Sequence, residues 1–200
     1  MSRIVVTNNL TLDGVMQAPG RPDEDRRDGF AHGGWAQPYA DAILGQKMGE
    51  GIASTGALLL GRRTYEDFAS IWPRMPDDNP FAAVLNNTPK YVASRTLESP
   101  EWNNSSVIEG DVAEAVKRLK REDGKDILVN GSGALVRTLI RDHLLDELRL
   151  LVHPVVVGSG TRLFNGESDP AELALADSHA YANGVIGLTY RPLVAEGDQT

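Results

Sequence analysis

The sequence predicts an α/β fold whose central sheet is mostly parallel, with antiparallel strands at its C-terminal edge. As far as Asp146, short apolar runs that suit strands alternate with segments of helical periodicity, an arrangement typical of parallel sheets. Beyond Asp146 the helical pattern stops, and two strand-like segments turn at Asn183–Gly184, a dipeptide that favours a hairpin. Helices on both faces of such a sheet would give the protein three layers.

The first half of the chain supplies three of the predicted strands. "RIVVTNN" (Arg3–Asn9) is short, apolar and β-branched, and a long loop rich in Gly, Pro and Asp follows it as far as Trp35. A helical pattern weakened by glycines starts at Pro38. The strand "ALLLG" then leads into the helix "RRTYEDFASIW", whose apolar residues recur at helical spacing, and "KYVAS" is the third strand.

The second half continues the alternation until the hairpin. "SVIEG" is a short strand, and the next helix starts with a capping box formed by Asp111 and Glu114. "DILVNG" is a buried strand, and "SGALVRTLIRDHL" is a helix. "ELRLLVHPVVVG" is predicted as one long strand, whose proline suggests a bulge or a sheet edge. We expect a single domain over residues 1–194 and a flexible tail over 195–200.

The composition argues against several classes of function. The 200 residues carry a net charge of −8, which disfavours broad binding to nucleic acid or to an anionic membrane. There is no cysteine, so disulfides, thiol nucleophiles and zinc–thiolate sites are excluded, and we predict no metal site. The first residues lack the pattern of a signal peptide, and no apolar run has the length of a membrane span. We therefore expect a cytoplasmic protein.

Three predicted strand-to-helix turns share one chemical character. They are Gly61–Thr64, Ser94–Thr96 and Asn130–Gly133. Such turns lie at the carboxyl ends of parallel strands, where ligands bind, and helix N-termini with glycines and arginines suit phosphate. A helix N-terminus already carries partial positive charge, so the pair Arg62–Arg63 indicates an anionic ligand. Surface charge or simple capping also explains each turn alone. All three together, in this order, indicate a phosphate site more specifically than any one of them.

Five stretches resemble the dihydrofolate reductase-like family. In chain order they are "TLDG", "LLLGRRTYE", "KYVAS", "ILVNGSGALVRTLI" and "DELRLLVHPVVVGSGTRLF". The chain is most similar to the reductase domain of the bifunctional riboflavin-biosynthesis deaminase–reductases and to its stand-alone bacterial relatives. The resemblance implies a three-layer dihydrofolate reductase-like fold and an NADPH-dependent reductase. That enzyme would deliver a hydride to a C=N or C=O carbon of a small heterocyclic substrate. The deaminase half needs paired cysteines and is absent.

The resemblance also implies which residues bind the cofactor. By position they are Asn8 and Asn9 for the nicotinamide; Gly61, Arg62, Arg63 and Thr64 for the 2′-phosphate and the pyrophosphate; Ser94 and Arg95 for the 2′-phosphate; and Gly131, Ser132, Gly133, Ala134 and Leu135 for the pyrophosphate. Three arginines favour NADPH over NADH, because the charge of a 2′-phosphate must be paired.

Hydride transfer is accompanied by a proton transfer, and the two candidate acids for it are Asp13 and Asp41. Dihydrofolate reductases place an acid two residues after the proline of a Trp-x-x-Pro motif, whereas Asp41 stands three residues after Pro38. On a helix that shift rotates the side chain by about a hundred degrees, which disfavours folate reduction. Asp41 is equally explained as a helix-start acid, and Asp13 as part of an Asp-Gly turn.

Several alternatives stay open at this point. Reduction of 5-amino-6-(5-phosphoribosylamino)uracil in riboflavin biosynthesis is the leading reaction. The alternatives are a reductase with another substrate, a pterin reductase of the dihydrofolate reductase type, and a protein that binds NADPH without turnover. His32 faces either the substrate or solvent, and His153 is expected to be structural.

Two predictions concern larger parts of the molecule. The loop over residues 10–35 is densely charged with few apolar anchors, so we expect a mobile lid over the nicotinamide, or otherwise a surface excursion. The C-terminal strands are long and apolar, and an uncovered apolar edge invites pairing. Relatives also dimerise through this end, so we expect a homodimer.

Overall fold

The computed structural model describes residues 1–76, 78–122, 124–166 and 170–193. Its centre is an eight-stranded sheet in the order β4-β3-β2-β5-β1-β6-β8-β7. The strands are β1 (Ile4–Thr11), β2 (Thr55–Gly61), β3 (Lys90–Ala93), β4 (Ser105–Val107), β5 (Asp126–Asn130), β6 (Glu147–His153), β7 (Leu173–Ala180) and β8 (Ile186–Pro192). Neighbours from β4 to β6 are parallel, whereas β8 runs antiparallel to both β6 and β7. The predicted mixed sheet is therefore confirmed.

Within these described ranges, five α-helices flank the sheet. They are α1 (Ala42–Ala53), α2 (Arg62–Ile71), α3 (Pro80–Asn87), α4 (Val112–Arg121) and α5 (Gly133–Arg141). Short 3-10 turns cover Arg27–Gly29, Gln37–Tyr39 and Trp72–Arg74. The predicted cap of α4 is present, because the Asp111 carboxylate accepts from the Glu114 N–H at 3.0 Å. The sequence analysis missed α3, although Asn79 caps it and Pro80 stands in its first turn, a recognisable start signal.

Two apolar layers lie on opposite faces of the sheet. Alternate residues of β1, such as Ile4 and Val6, pack with Val116 of α4 and Leu139 of α5. On the other face Leu58 and Leu60 of β2 belong to a cluster with Tyr65, Leu85, Val92, Trp102 and Leu128. These layers on either side of the sheet are the predicted three-layer arrangement. Within the described ranges, none of the helices combines the length and apolar character needed to cross a membrane.

The strand that contains Pro154 differs from its prediction. β6 ends at His153, and Val155–Val157 leave the sheet. β6 also lies inside the sheet between β1 and β8, so the predicted edge is wrong. The reason is that Pro154 cannot donate to a ladder, so the strand stops before it instead of bulging.

The long loop is better anchored than its composition suggested. Val15, Ala18, Phe30 and Trp35 are buried together, and the Trp35 indole N–H donates to the Gln17 carbonyl at 2.7 Å. The expectation of few apolar anchors was wrong, because these side chains turn inward onto the segment that follows β6. At Gly160 (φ 107°) a Cβ would come within 2.7 Å of the Phe30 ring, so this packing requires glycine.

The tail predicted for 195–200 lies outside the described residues.

Candidate functional site

Two of the three predicted turns touch each other. β2 and β5 are parallel neighbours, so Gly61 and Gly131 follow adjacent strands at the same edge of the sheet. A Cβ on Gly61 would lie 1.7 Å from the Ser132 Oγ, and one on Gly131 would lie 3.0 Å from the Thr64 Oγ1. The two turns therefore interlock, and only glycine at position 61 allows the contact.

The third turn continues the same edge. Gly61 pairs with Ala93, so Ser94 follows the neighbouring strand at the same level. The Ser94 Oγ accepts from the N–H groups of Thr96 and Leu97, at 3.1 and 2.9 Å, and closes the turn. Its hydroxyl hydrogen remains available to an acceptor.

The side chains of the arginines at this end of the sheet are exposed and make few contacts. Arg62 lies 3.8 Å from Glu66 one helical turn away, and both side chains face solvent. Arg63 and Arg95 are exposed as well. Exposed pairs of this kind contribute little to stability, so the arginines can turn toward an anion at small cost.

The turn before α5 is left-handed and lies against Asn8 of β1. Gly131 and Ser132 are both left-handed, with φ values of 66° and 61°, and the Ser132 side chain makes no capping hydrogen bond to α5. The Gly131 N–H donates to the Asn8 Oδ1 at 3.1 Å. The Asn8 Nδ2 is buried and has no hydrogen-bond partner among the described residues. The first N–H groups of a helix have no partner within the helix, so the start of α5 is suited to a ligand that supplies acceptor oxygens.

Asn8 and Asn9 do not act from the same side of the sheet. Successive side chains of a strand point to opposite faces, so Asn8 reaches the α5 turn while Asn9 reaches the other face. There the Asn9 Oδ1 lies 2.9 Å from the His153 Nε2.

Asp13 is fully engaged in holding two loops together. Its carboxylate accepts from the Thr11 hydroxyl at 2.7 Å and from the Gly158 N–H at 2.9 Å, and it lies 3.5 Å from Arg162. The hydrogen bond from Thr11, followed by those from the backbone of Val157 and Gly158, lowers the pKa of Asp13 despite some desolvation. A carboxylate with a lowered pKa stays ionised, which makes it a poor proton donor.

Asp41 caps a helix. Its Oδ1 accepts from the N–H groups of Ile43 and Leu44, at 2.8 and 3.1 Å, and α1 starts directly after it. The side chain therefore has the local role that the sequence analysis gave as the alternative to proton transfer. Its second oxygen, Oδ2, makes no hydrogen bond within the described part of the chain.

A cavity of about 540 Å³ lies between α1 and the sheet. Its floor includes Thr7, Leu151 and Arg149, and Leu44 and Gly51 of α1 are among the residues that close it. Thr7 is on the same face of β1 as Asn9, so the cavity lies on the side of the sheet to which Asn9 points. It is large enough for a small heterocyclic molecule.

The wall of this cavity contains a buried carboxylate that the sequence analysis missed. Glu147 contacts Arg149 at 2.5 Å, Arg191 at 3.0 Å and Arg3 at 3.7 Å. Burial opposes ionisation of Glu147, but hydrogen bonds from Arg149 and Arg191 outweigh it and lower its pKa. The alternation Glu147–Arg149 on one strand face was the available signal, whereas Arg3 and Arg191 are distant in sequence.

The chain is similar to known proteins over nearly its whole length. It is 31% identical over 194 residues to the uncharacterized protein YyaP of Bacillus subtilis (strain 168), which covers 94% of each chain. Among solved structures, a putative riboflavin biosynthesis protein from Shewanella sp. PV-4 superposes with a TM-score of 0.68 at 18% identity, covering 97% of this chain and 100% of that one.

Two further structures extend the same fold. The Thermotoga maritima diaminohydroxyphosphoribosylaminopyrimidine deaminase/5-amino-6-(5-phosphoribosylamino)uracil reductase has a TM-score of 0.62 at 16% identity, and the match covers 96% of this chain and 57% of that chain. Enterococcus faecalis dihydrofolate reductase complexed with NADP(H) has a TM-score of 0.59 at 14% identity, with 96% and 97% covered. The fold is therefore dihydrofolate reductase-like, as the resemblance predicted.

A family model assigns most of the sequence. The model of the RibD C-terminal domain matches residues 2–187. This match supports an oxidoreductase of the riboflavin-pathway type that acts on a small molecule. Taken with the fold and the interlocked turns, it shows that the chain belongs to the RibD C-terminal domain family.

Proposed function

We propose that the protein is an NADPH-dependent reductase that transfers a hydride to a C=N or C=O carbon of a small heterocyclic substrate. The observation that carries this proposal is the interlocked pair of turns at Gly61 and Gly131, which precede the N-termini of α2 and α5 at the same end of the sheet. The cofactor would supply the hydride from its reduced nicotinamide. Cofactor binding by a structural relative and family membership support the same assignment.

The residues of this edge fit the phosphates of such a cofactor. Backbone N–H groups at the start of α5 would bind the pyrophosphate oxygens. Arg62, Arg63 and Arg95 would pair with the 2′-phosphate, which NADH lacks. The cavity beneath α1 would hold the substrate on the side of the sheet where Asn9 lies.

Binding experiments with wild-type protein test the cofactor assignment. We expect NADPH to bind more tightly than NADH in a titration followed by nicotinamide fluorescence. The variant Arg62→Ala should lose about 1.5–3 kcal/mol of NADPH binding, the value of a hydrogen bond to a charged group, and much less of NADH binding. Arg121→Ala is the control, because this exposed residue is the last of α4 and precedes the amino end of β5, whereas the three turns follow the carboxyl ends of their strands. Equal affinities for NADPH and NADH would remove the argument for the arginines.

The leading substrate is 5-amino-6-(5-phosphoribosylamino)uracil, supported by the family and by the reductase activity named for the Thermotoga maritima relative. Consumption of NADPH in its presence, compared with dihydrofolate, tests this choice. Dihydrofolate is disfavoured, because Asp41 caps α1 in place of reaching toward a pterin.

A second candidate is an NADPH-binding protein without turnover. The specific observation in its favour is that both predicted acids, Asp13 and Asp41, are committed to structural hydrogen bonds. Tight NADPH binding without oxidation by any pyrimidine or pterin would select this candidate. In either case we propose a homodimer formed through the C-terminal strands, and the cytoplasmic location stays a prediction.

A further inference from the structure

His153 lies where the long loop meets the sheet. It is the last residue of β6 and is only 2% exposed. The rings of Trp35 and Tyr39 approach it edge-on, with centroids at 5.3 and 5.6 Å. Both aromatic residues belong to the segment between β1 and α1, so the loop and its 3-10 turn at Gln37–Tyr39 form the walls of the histidine's enclosure.

The imidazole makes one polar contact. Its Nε2 lies 2.9 Å from the Asn9 Oδ1, and its Nδ1 is buried without a partner in the part of the chain that the structure describes. A protonated ring would bury a second N–H donor with no acceptor, and burial already lowers the pKa of His153. The neutral form with the proton on Nε2 satisfies the Asn9 oxygen and leaves only an acceptor lone pair among aromatic carbons. The other neutral tautomer would bury an unpaired N–H.

This bond determines which end of the Asn9 amide is available. Because the Oδ1 is held by His153, the Nδ2 group points away from the ring. The Nδ2 has no hydrogen-bond partner within the described ranges, and unlike that of Asn8 it is not sealed from solvent. The neighbouring residues on this face, Thr7 and Leu151, line the cavity beneath α1. The amide nitrogen is therefore a free donor next to the cavity.

We propose that His153 is a positioning residue that fixes the Asn9 side chain with its NH₂ group toward the ligand, so that Asn9 donates to a carbonyl oxygen at the nicotinamide end of NADPH. Without His153 the amide can rotate and present its oxygen instead, which repels the same ligand atom. The choice of ligand rests on the proposed function, whereas the His153–Asn9 geometry does not.

The tautomer is tested first, without any ligand. Nitrogen NMR of the wild-type protein should show a neutral His153 at about pH 7, with the proton on Nε2, and a pKa below the ordinary value of a histidine. The variant Asn9→Leu removes the acceptor and should shift the Nε2 resonance. A His153 whose pKa is not lowered, or that carries its proton on Nδ1, would overturn the proposed orientation.

A double-mutant cycle tests the positioning role. His153→Leu should weaken NADPH about three- to tenfold, the value of one hydrogen bond, and His153→Gln should restore binding because its amide can donate to Asn9. Adenosine 2′,5′-bisphosphate lacks the nicotinamide end, so its affinity should not change in any of these variants. In the Asn9→Leu background, His153→Leu should have no further effect on NADPH.

The other possible results contradict either the positioning role of His153 or the proposed function. A further loss in the Asn9→Leu background would show that His153 acts through the fold, and the positioning role would be wrong. Unchanged NADPH affinity in His153→Leu would remove the inference while leaving the proposed function intact. Wild-type protein that binds neither NADPH nor the bisphosphate would overturn the proposed function and the ligand named here together.

Discussion

The ammonium group of Lys90 lies entirely inside the protein, at the C-terminal end of α3. It donates to the carbonyls of Asn86, Thr88 and Asn103 at 3.2, 2.8 and 2.8 Å and lies 4.2 Å from the centre of a Trp102 ring. Carbonyls at a helix end and an aromatic face both favour a cation, which explains how a charge is tolerated at 0% exposure. Burial alone lowers its pKa to about 8.

Replacing Lys90 by Met should therefore destabilise the fold. Three carbonyls, of which that of Thr88 is buried, would lose their donor, at a cost of about 1–3 kcal/mol in the free energy of unfolding. The pKa falls from 10.5 in the unfolded chain to about 8 in the fold, so the wild-type protein should gain stability as pH rises through that window. The variant should lack this gain. Urea unfolding at several pH values measures both effects, with the exposed Lys117→Met as control, and equal stability of Lys90→Met and wild type would contradict the argument.

The cap at Asp41 allows structure and chemistry to be separated with two substitutions. Asn caps a helix as well as Asp, so Asp41→Asn should keep the free energy of unfolding within about 0.5 kcal/mol, while Asp41→Ala should lose about 0.5–2 kcal/mol. Asn cannot exchange a proton at neutral pH. We expect Asp41→Asn to retain NADPH oxidation with the leading substrate. Loss of turnover in Asp41→Asn with unchanged stability would show that Asp41 takes part in proton transfer.

Single residues were predictable where the signal is local. The Asp111 cap needed only a residue three positions away, and the arginines after β2 were recognisable from the strand that precedes them. The burial of Lys90 and Glu147 was not predictable, because it depends on segments such as those of Trp102 and Arg191 that only the folded chain brings together.

At the scale of elements, the loop between β1 and α1 is a folded unit. Besides its apolar cluster, Arg21 contacts Asp67 of α2 at 2.5 Å, and the buried Gln17 donates to the Asp25 and Arg27 carbonyls at 3.2 and 3.3 Å. The segment is therefore tied to the helix that starts with Arg62. A lid function stays a prediction, but any movement has to keep or break these contacts.

Shortening the loop from Pro19 to Gly29 tests that prediction. We expect NADPH affinity to stay within a few-fold, because the phosphate turns lie on other strands, while turnover falls or substrate preference shifts. The deletion also removes the acceptors of Gln17, so a lower melting temperature should accompany it. Arg21→Ala is the milder control, since it releases the loop from α2 without touching the apolar cluster. Turnover that is unchanged in the deletion variant would exclude a lid.

The elements that the sequence analysis located are those with strong periodicity, such as the amphipathic helices α4 and α5. The short helix α3 escaped notice, because eight residues without a marked apolar stripe resemble a loop. What Phe30 and Trp35 pack against was likewise not predictable, since it depends on the chain after β6 folding back over them.

For the whole molecule, the order of the strands builds the site. β2 and β5 are distant in sequence yet adjacent in the sheet, and this adjacency brings Gly61 against Ser132. The sequence located the turns but not their interlocking, because packing of one turn against another has no local signature. The cavity beneath α1 was also unpredictable, since it depends on how far the helix stands from the sheet.

The C-terminal hairpin leaves apolar surface uncovered at one end of the sheet. Leu175 is 55% exposed and Ile186 is 43% exposed, and both lie on the face of β7 and β8 that carries the partly buried Leu188 and Tyr190. β7 is also an edge strand with free backbone groups. Apolar side chains at an open edge favour association with a second copy of the chain.

We therefore expect a homodimer at micromolar concentration by light scattering, and a charge on this face should dissociate it. Leu175→Glu would bury a carboxylate without a partner in the interface, at a cost that exceeds what one apolar contact contributes. Thr189→Glu is the matched control, because its side chain lies on the opposite face of β8, toward the cavity. A wild-type monomer would exclude the dimer. A dimer that survives Leu175→Glu but dissociates with Thr189→Glu would place the contact on the cavity face, where a second copy would also restrict access to the substrate.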